Sequence, residues 1–125
     1  MRWLLCLVLT VSFLLVSCRG DEGGDILEGT DVTLEMFDNR YSYTEVHIPA
    51  GGTVQWVGAG RNPHNAVSAG GEWSTEDAFG SLEQSEGDVA SITYDQPGEY
   101  LFYCTFHGNP DGKGMAGRLL VEAGV

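Results

Sequence analysis

The chain has 125 residues, with 18 acidic against 6 basic side chains and a formal charge of −12. That length holds one modest domain. The scarcity of Lys and Arg excludes nucleic acid as a partner, because phosphate binding needs a basic patch. An acidic surface instead steers in a partner that carries a basic docking surface, faster at low salt.

Residues 3–16 read WLLCLVLTVSFLLV, an apolar run with Arg2 in front and no acid. The run is too short for a spanning helix and matches the apolar core of a secretory signal. Leu15-Val16-Ser17-Cys18 resembles the bacterial lipobox. The resemblance implies a signal peptide over residues 1–17, removed on export, and a lipid on Cys18. Acyl chains there would hold the protein to a membrane surface without a spanning helix, at the outer face of the cell membrane or in the periplasm. Cys6 leaves with the signal, so only Cys104 remains as a thiol in the folded body. A lone thiol in an exported domain has no internal disulfide partner and calls for a metal or a reactive role.

Residues 18–29, short, charged and Gly-rich, read as a lipidated flexible tether, and residues 30–125 as the folded domain. Val32–Phe37 alternates in part and stops at Asp38-Asn39. Tyr43–Ile48 alternates polar and apolar before the turn Pro49-Ala50-Gly51-Gly52. Thr53–Val57 follows, then a Gly-rich break at residues 58–60. Asn65–Ser68 is a further short candidate. Residues 70–87 lack a period and read mostly as loop, with Ser74 placed to cap one helical turn over Thr75-Glu76-Asp77. Val89–Tyr94 alternates again, Gln96-Pro97-Gly98 turns the chain, and Glu99–Cys104 is a strand rich in aromatics. Gly117–Glu122 closes the domain. Seven or eight strands at this spacing predict an all-β, Greek-key sandwich.

The chemistry concentrates in residues 100–115, YLFYCTFHGNPDGKGM. A strand ends at Cys104, His107 follows three residues on, and Met115 closes a loop rich in Gly, Pro and Asn. A second histidine lies upstream in Asn62-Pro63-His64-Asn65. A thiolate, two imidazoles and a distant thioether form the ligand set of a blue-copper site. The thiolate suits Cu(I), the imidazoles suit either oxidation state, and a weak axial sulfur tunes the potential.

From about Val32 to Val121 the sequence resembles a plastocyanin- or pseudoazurin-type blue-copper protein, a cupredoxin. The likeness is carried by Ile48-Pro49-Ala50-Gly51-Gly52-Thr53-Val54-Gln55-Trp56, Pro63-His64-Asn65, Pro97-Gly98-Glu99-Tyr100 and the closing Cys-His-Met loop. It implies one type 1 copper ion held by His64, Cys104, His107 and axial Met115. It also implies that Asn65 and Thr105, each just after a ligand, link the two ligand loops and orient them. The loop departs from the family in length: seven residues separate His107 from Met115, where plastocyanin-like loops commonly have fewer.

These readings imply a monomeric one-electron carrier, not an enzyme, that meets its redox partners transiently. Multicopper oxidases and copper nitrite reductases need further histidines. This chain has three, and His47, flanked by Val46 and Ile48 on a strand, is expected to face solvent. The competing reading is a copper carrier or store that delivers the metal to another exported protein. Such proteins usually display exposed Met or His clusters. Met36 and Trp56 are expected in the core. Gly58, Ala59, Pro63, Pro110 and Ala116 are expected to form a flat docking surface around the edge of His107. Tyr103, beside Cys104, is a candidate electron route.

Overall fold

The computed structural model describes residues 25–124. The expected signal peptide and Cys18 lie outside them. Among the described residues nine strands and one short helix form two facing sheets. The first sheet runs β1 (Ile26–Glu28), β4 (Glu45–Pro49), β9 (Gly114–Glu122), β8 (Gly98–Gly108) and β6 (Val67–Ser68). The second runs β3 (Arg40–Tyr41), β2 (Asp31–Phe37), β5 (Gly52–Gly58) and β7 (Val89–Tyr94). Both sheets are mixed: β1–β4, β4–β9 and β2–β5 pair in parallel, and the other pairs are antiparallel.

The period-two patterns decide which faces meet. Val32, Leu34 and Met36 of β2 point inward, as do Val54 and Trp56 of β5. They face Val46, Ile48, Phe102, Leu119 and Val121 of the first sheet. Trp56 is fully buried at the centre. Its ring meets Phe102 edge-on at 5.0 Å, and its indole N–H donates to the Tyr94 hydroxyl at 3.1 Å. Met36 and Trp56 therefore stand in the core as their sequence context predicts.

The helix α1 (Thr75–Phe79) is the turn that Ser74 was expected to cap. The Ser74 hydroxyl accepts from the Asp77 N–H at 3.1 Å, and Gly80 ends the helix in a left-handed conformation.

Three expectations are corrected. Residues 26–28 belong to the sheet rather than to a tether, because they pair with β4 in parallel from Ile26–Glu45 to Glu28–His47. His47 does point away from Val46 and Ile48, but it is not free in solvent. Carboxylates surround it: Glu45 of the same strand at 2.6 Å, and Glu28 of β1 and Glu122 of β9 at 3.7 and 4.0 Å. Finally, β8 does not stop at Cys104. It continues to Gly108 through a bulge, in which residues 104–107 stand against the single Met115 of β9.

Replacing Trp56 with Ala should lower unfolding free energy by about 3–5 kcal/mol. The drop is read as an earlier urea midpoint followed by circular dichroism.

Candidate metal centre

The site lies at one end of the sandwich, where β8 bulges and the β5–β6 connection crosses between the sheets. Cys104 follows Phe102 on the inward face of β8 and is fully buried. His107 lies three residues on, past the outward-facing Thr105 and Phe106, and is half-buried. His64 comes from the β5–β6 connection and is fully buried. Its main chain is fixed by a two-bond bridge to Gln84: its N–H donates to Gln84 O at 3.1 Å and its O accepts from Gln84 N–H at 3.0 Å. The Gln84 amide is itself buried and donates to Trp56 O and Asp88 O. Close passage of this segment requires glycine at position 58. A Cβ there would lie 2.1 Å from Ser85 O.

Three candidate ligand atoms converge. Cys104 Sγ is 3.8 Å from His64 Nδ1 and 3.8 Å from His107 Nδ1, and the three atoms all lie within 4.8 Å of one another. Among the described residues this is the only group of three or more His, Cys, Asp or Glu side chains so arranged. Met115 is buried on β9, opposite the bulge that carries Cys104 and His107. The longer loop between His107 and Met115 does not disturb that register. Its extra residues form a self-bonded hairpin tip: Asn109 Oδ1 accepts from the Asp111 and Lys113 N–H groups, and Gly112 turns the chain at φ +90°. The strands resume pairing at Gly108 and Gly114.

Asn65 and Thr105 join the loop that carries His64 to the strand that carries Cys104. Asn65 Oδ1 accepts from the Thr105 N–H at 2.9 Å, and Asn65 Nδ2 donates to Thr105 Oγ1 at 2.9 Å and to Leu82 O at 3.0 Å. The Asn65 carbonyl takes the Tyr41 hydroxyl at 2.7 Å. Burial, with a smaller contribution from neighbouring Cys104, pushes the Tyr41 hydroxyl well above the ordinary tyrosine range. Tyr41 therefore stays a donor at all ordinary pH.

Three residues of this end have no local sequence signal: Tyr41, Gln84 and Asp38. Asp38, read from sequence only as a turn, places Oδ1 3.0 Å from His64 Nε2. Hydrogen bonds, foremost from the Asn62 N–H and next from His64, hold its carboxyl down to about 2. Of the residues expected to build a docking surface, Gly58 is buried and Pro110 is exposed, while Ala59, Pro63 and Ala116 are half-buried. The exposed large hydrophobic side chains here are Phe106 and Leu82.

The donor set fits copper: one thiolate sulfur and two imidazole nitrogens in a water-poor pocket, with a thioether on the facing strand. Residues 30–122 match the family described as copper binding proteins, plastocyanin/azurin family. The chain belongs to that family. It is 35% identical to amicyanin of Paracoccus versutus over 66% of this chain and 58% of that protein, so the match spans less than two thirds of that relative's length. It is 33% identical to plastocyanin of Prochlorothrix hollandica over 75% of this chain and 69% of that one. The solved structure of amicyanin from Paracoccus versutus superposes with a TM-score of 0.56 at 29% identity, covering 74% of this chain and 81% of that one. A copper-containing nitrite reductase from Thermus scotoductus shares the fold, with a TM-score of 0.61 at 24% identity over 79% of this chain and 24% of the reductase. This cupredoxin's cofactor is one type 1 copper ion.

Replacing Asn65 with Ala should cost about 1 kcal/mol of stability in the copper-free protein, since it removes three part-buried hydrogen bonds that tie residues 65, 82 and 105 together. It should also weaken copper retention, measured by competition with a chelator.

Proposed function

We propose that this protein is a one-electron carrier between redox partners at a membrane surface, with His64, Cys104 and His107 as copper ligands and Met115 as the axial thioether. The observation that carries the reading is the convergence of Nδ1, Sγ and Nδ1 on one point of a rigid β-scaffold. Bound there, copper supplies a couple between Cu(II) and Cu(I) that exchanges one electron.

The protein's part is to keep its ligands still. Cys104 is on a strand, His64 is bridged to Gln84, and Asn65 ties both loops together. A site held this way needs little rearrangement when the charge changes. His64 is sealed, whereas His107 is half-buried beside exposed Phe106. The ring edge of His107 is therefore the electron's exit. Phe106 and Leu82 supply an apolar contact for a transient partner. The excess of acids favours a partner with a basic docking surface. Tyr103, half-buried next to Cys104, is a second route outward.

The alternative, a copper carrier or store, fits less well. The four donors are buried or half-buried, and none forms an exposed Met or His cluster from which metal would pass readily. With three histidines the chain has too few for the further copper sites of a multicopper oxidase or a nitrite reductase, which opposes an enzymatic role. Export by the signal of residues 1–17, a lipid on Cys18 and a monomeric state complete the proposal. Among the described residues no helix is long and apolar enough to cross a membrane.

The copper-loaded protein should give a reversible one-electron wave at an electrode, and Cys104→Ser should abolish it. Rapid loss of copper to a chelator, with no reversible wave, would favour the carrier reading. In cells, Cys18→Ser should move the protein from the membrane to the soluble fraction. Unchanged membrane association would contradict the lipid anchor.

A further inference from the structure

A carboxylate stands behind His64. Asp38 occupies the two-residue turn between β2 and β3, which Asn39 closes at φ +69°. The turn aims Asp38 across at the β5–β6 connection, 26 positions along the chain. There Oδ1 accepts from the Asn62 N–H at 3.0 Å and Oδ2 from the Arg61 N–H at 3.1 Å. His64 Nε2 is 3.0 Å from Oδ1. The connection is shaped to admit the carboxylate: a Cβ on Gly60 would lie 2.3 Å from Oδ1 and 2.8 Å from Asp38 N. Capping two loop N–H groups would by itself be a structural role. The third contact, to a fully buried imidazole whose other nitrogen faces Cys104, is more than that role requires.

We propose that Asp38 is a positioning residue for the copper site: it holds the His64 proton on Nε2, so that Nδ1 presents its lone pair, and its negative charge favours the oxidised site and lowers the reduction potential. The proposal rests on the copper-ligand reading above. An ionised carboxylate only accepts hydrogen bonds, so the proton between Oδ1 and Nε2 belongs to the imidazole. A neutral imidazole has one N–H, and fixing it on Nε2 leaves Nδ1 free. A carboxylate behind a ligating histidine also raises the basicity of the ligating nitrogen and fixes the ring's orientation. The charge acts in the same direction, because the oxidised site carries one more positive charge than the reduced one and gains more from a nearby anion.

Two measurements test this. The first is 15N NMR of the copper-free wild-type protein, which reads the His64 tautomer directly. A ring with its proton on Nε2 and none on Nδ1 is expected. A ring protonated on Nδ1, or a mixture of the two, would overturn the proposal whether or not any variant folds. The second compares the copper-loaded wild type with Asp38→Asn, which keeps an accepting oxygen and removes the charge. The intense visible band should survive and the potential should rise. A variant with that band and the wild-type potential would overturn the electrostatic role while leaving the copper reading intact. A wild type without the band would instead sink the copper reading on which this rests.

Discussion

One buried side-chain amide holds the two halves of the site in register. Asn65 and Thr105 lie 40 residues apart in the chain. Each immediately follows a ligand candidate, so the paired bonds between them set how closely His64 and Cys104 approach. The amide is fully used, with its oxygen on the Thr105 N–H and its nitrogen shared between Thr105 Oγ1 and Leu82 O. The carbonyl of the same residue takes the Tyr41 hydroxyl, which draws β3 into the arrangement. A polar network with a buried centre is stabilising only when every member is satisfied, and then it specifies one geometry. It joins the loop of His64 to the strand of Cys104, whose Sγ lies 3.8 Å from His64 Nδ1.

Around that clamp the work is divided between a sealed side and an open side. On the sealed side, Gln84 pins the main chain of His64 and Asp38 pins its ring. Glycines at 58 and 60 let Ser85 and Asp38 come close enough to do so. On the open side, the β8 bulge lifts His107 toward the surface, and the hairpin tip at residues 109–113 folds on its own hydrogen bonds. The length of that tip is therefore decoupled from the position of Met115. A site that must change charge without moving needs the first side, and a site that must meet a partner needs the second.

Much of this was legible in the sequence. The alternation of Val89–Tyr94 gave β7 its bounds, and the apolar positions of β2, β4 and β5 named the residues that fill the core. The Cys-x-x-His spacing and the upstream Pro-His-Asn picked out the three side chains that converge. What escaped has a common cause. The strand at residues 26–28 exists only because β4 offers a parallel edge, and nothing in Ile-Leu-Glu within a Gly-rich, charged stretch announces it. The continuation of β8 past Cys104 depends on β9 absorbing a bulge. Asp38 looked like an ordinary turn residue because its partners are 23 to 26 positions away, and Gln84 sits in the segment with least periodicity. Local propensity cannot report contacts that the fold itself creates.

Whether His64, Cys104 and His107 form a thiolate–copper centre is decided by the visible and electron paramagnetic resonance spectra of the protein given one equivalent of Cu(II). An intense blue or green band with narrow copper hyperfine splitting, bleached by ascorbate and restored by ferricyanide, is the predicted result. A pale protein with an ordinary Cu(II) spectrum would mean that Cys104 does not ligate, and would contradict the thiolate–copper centre.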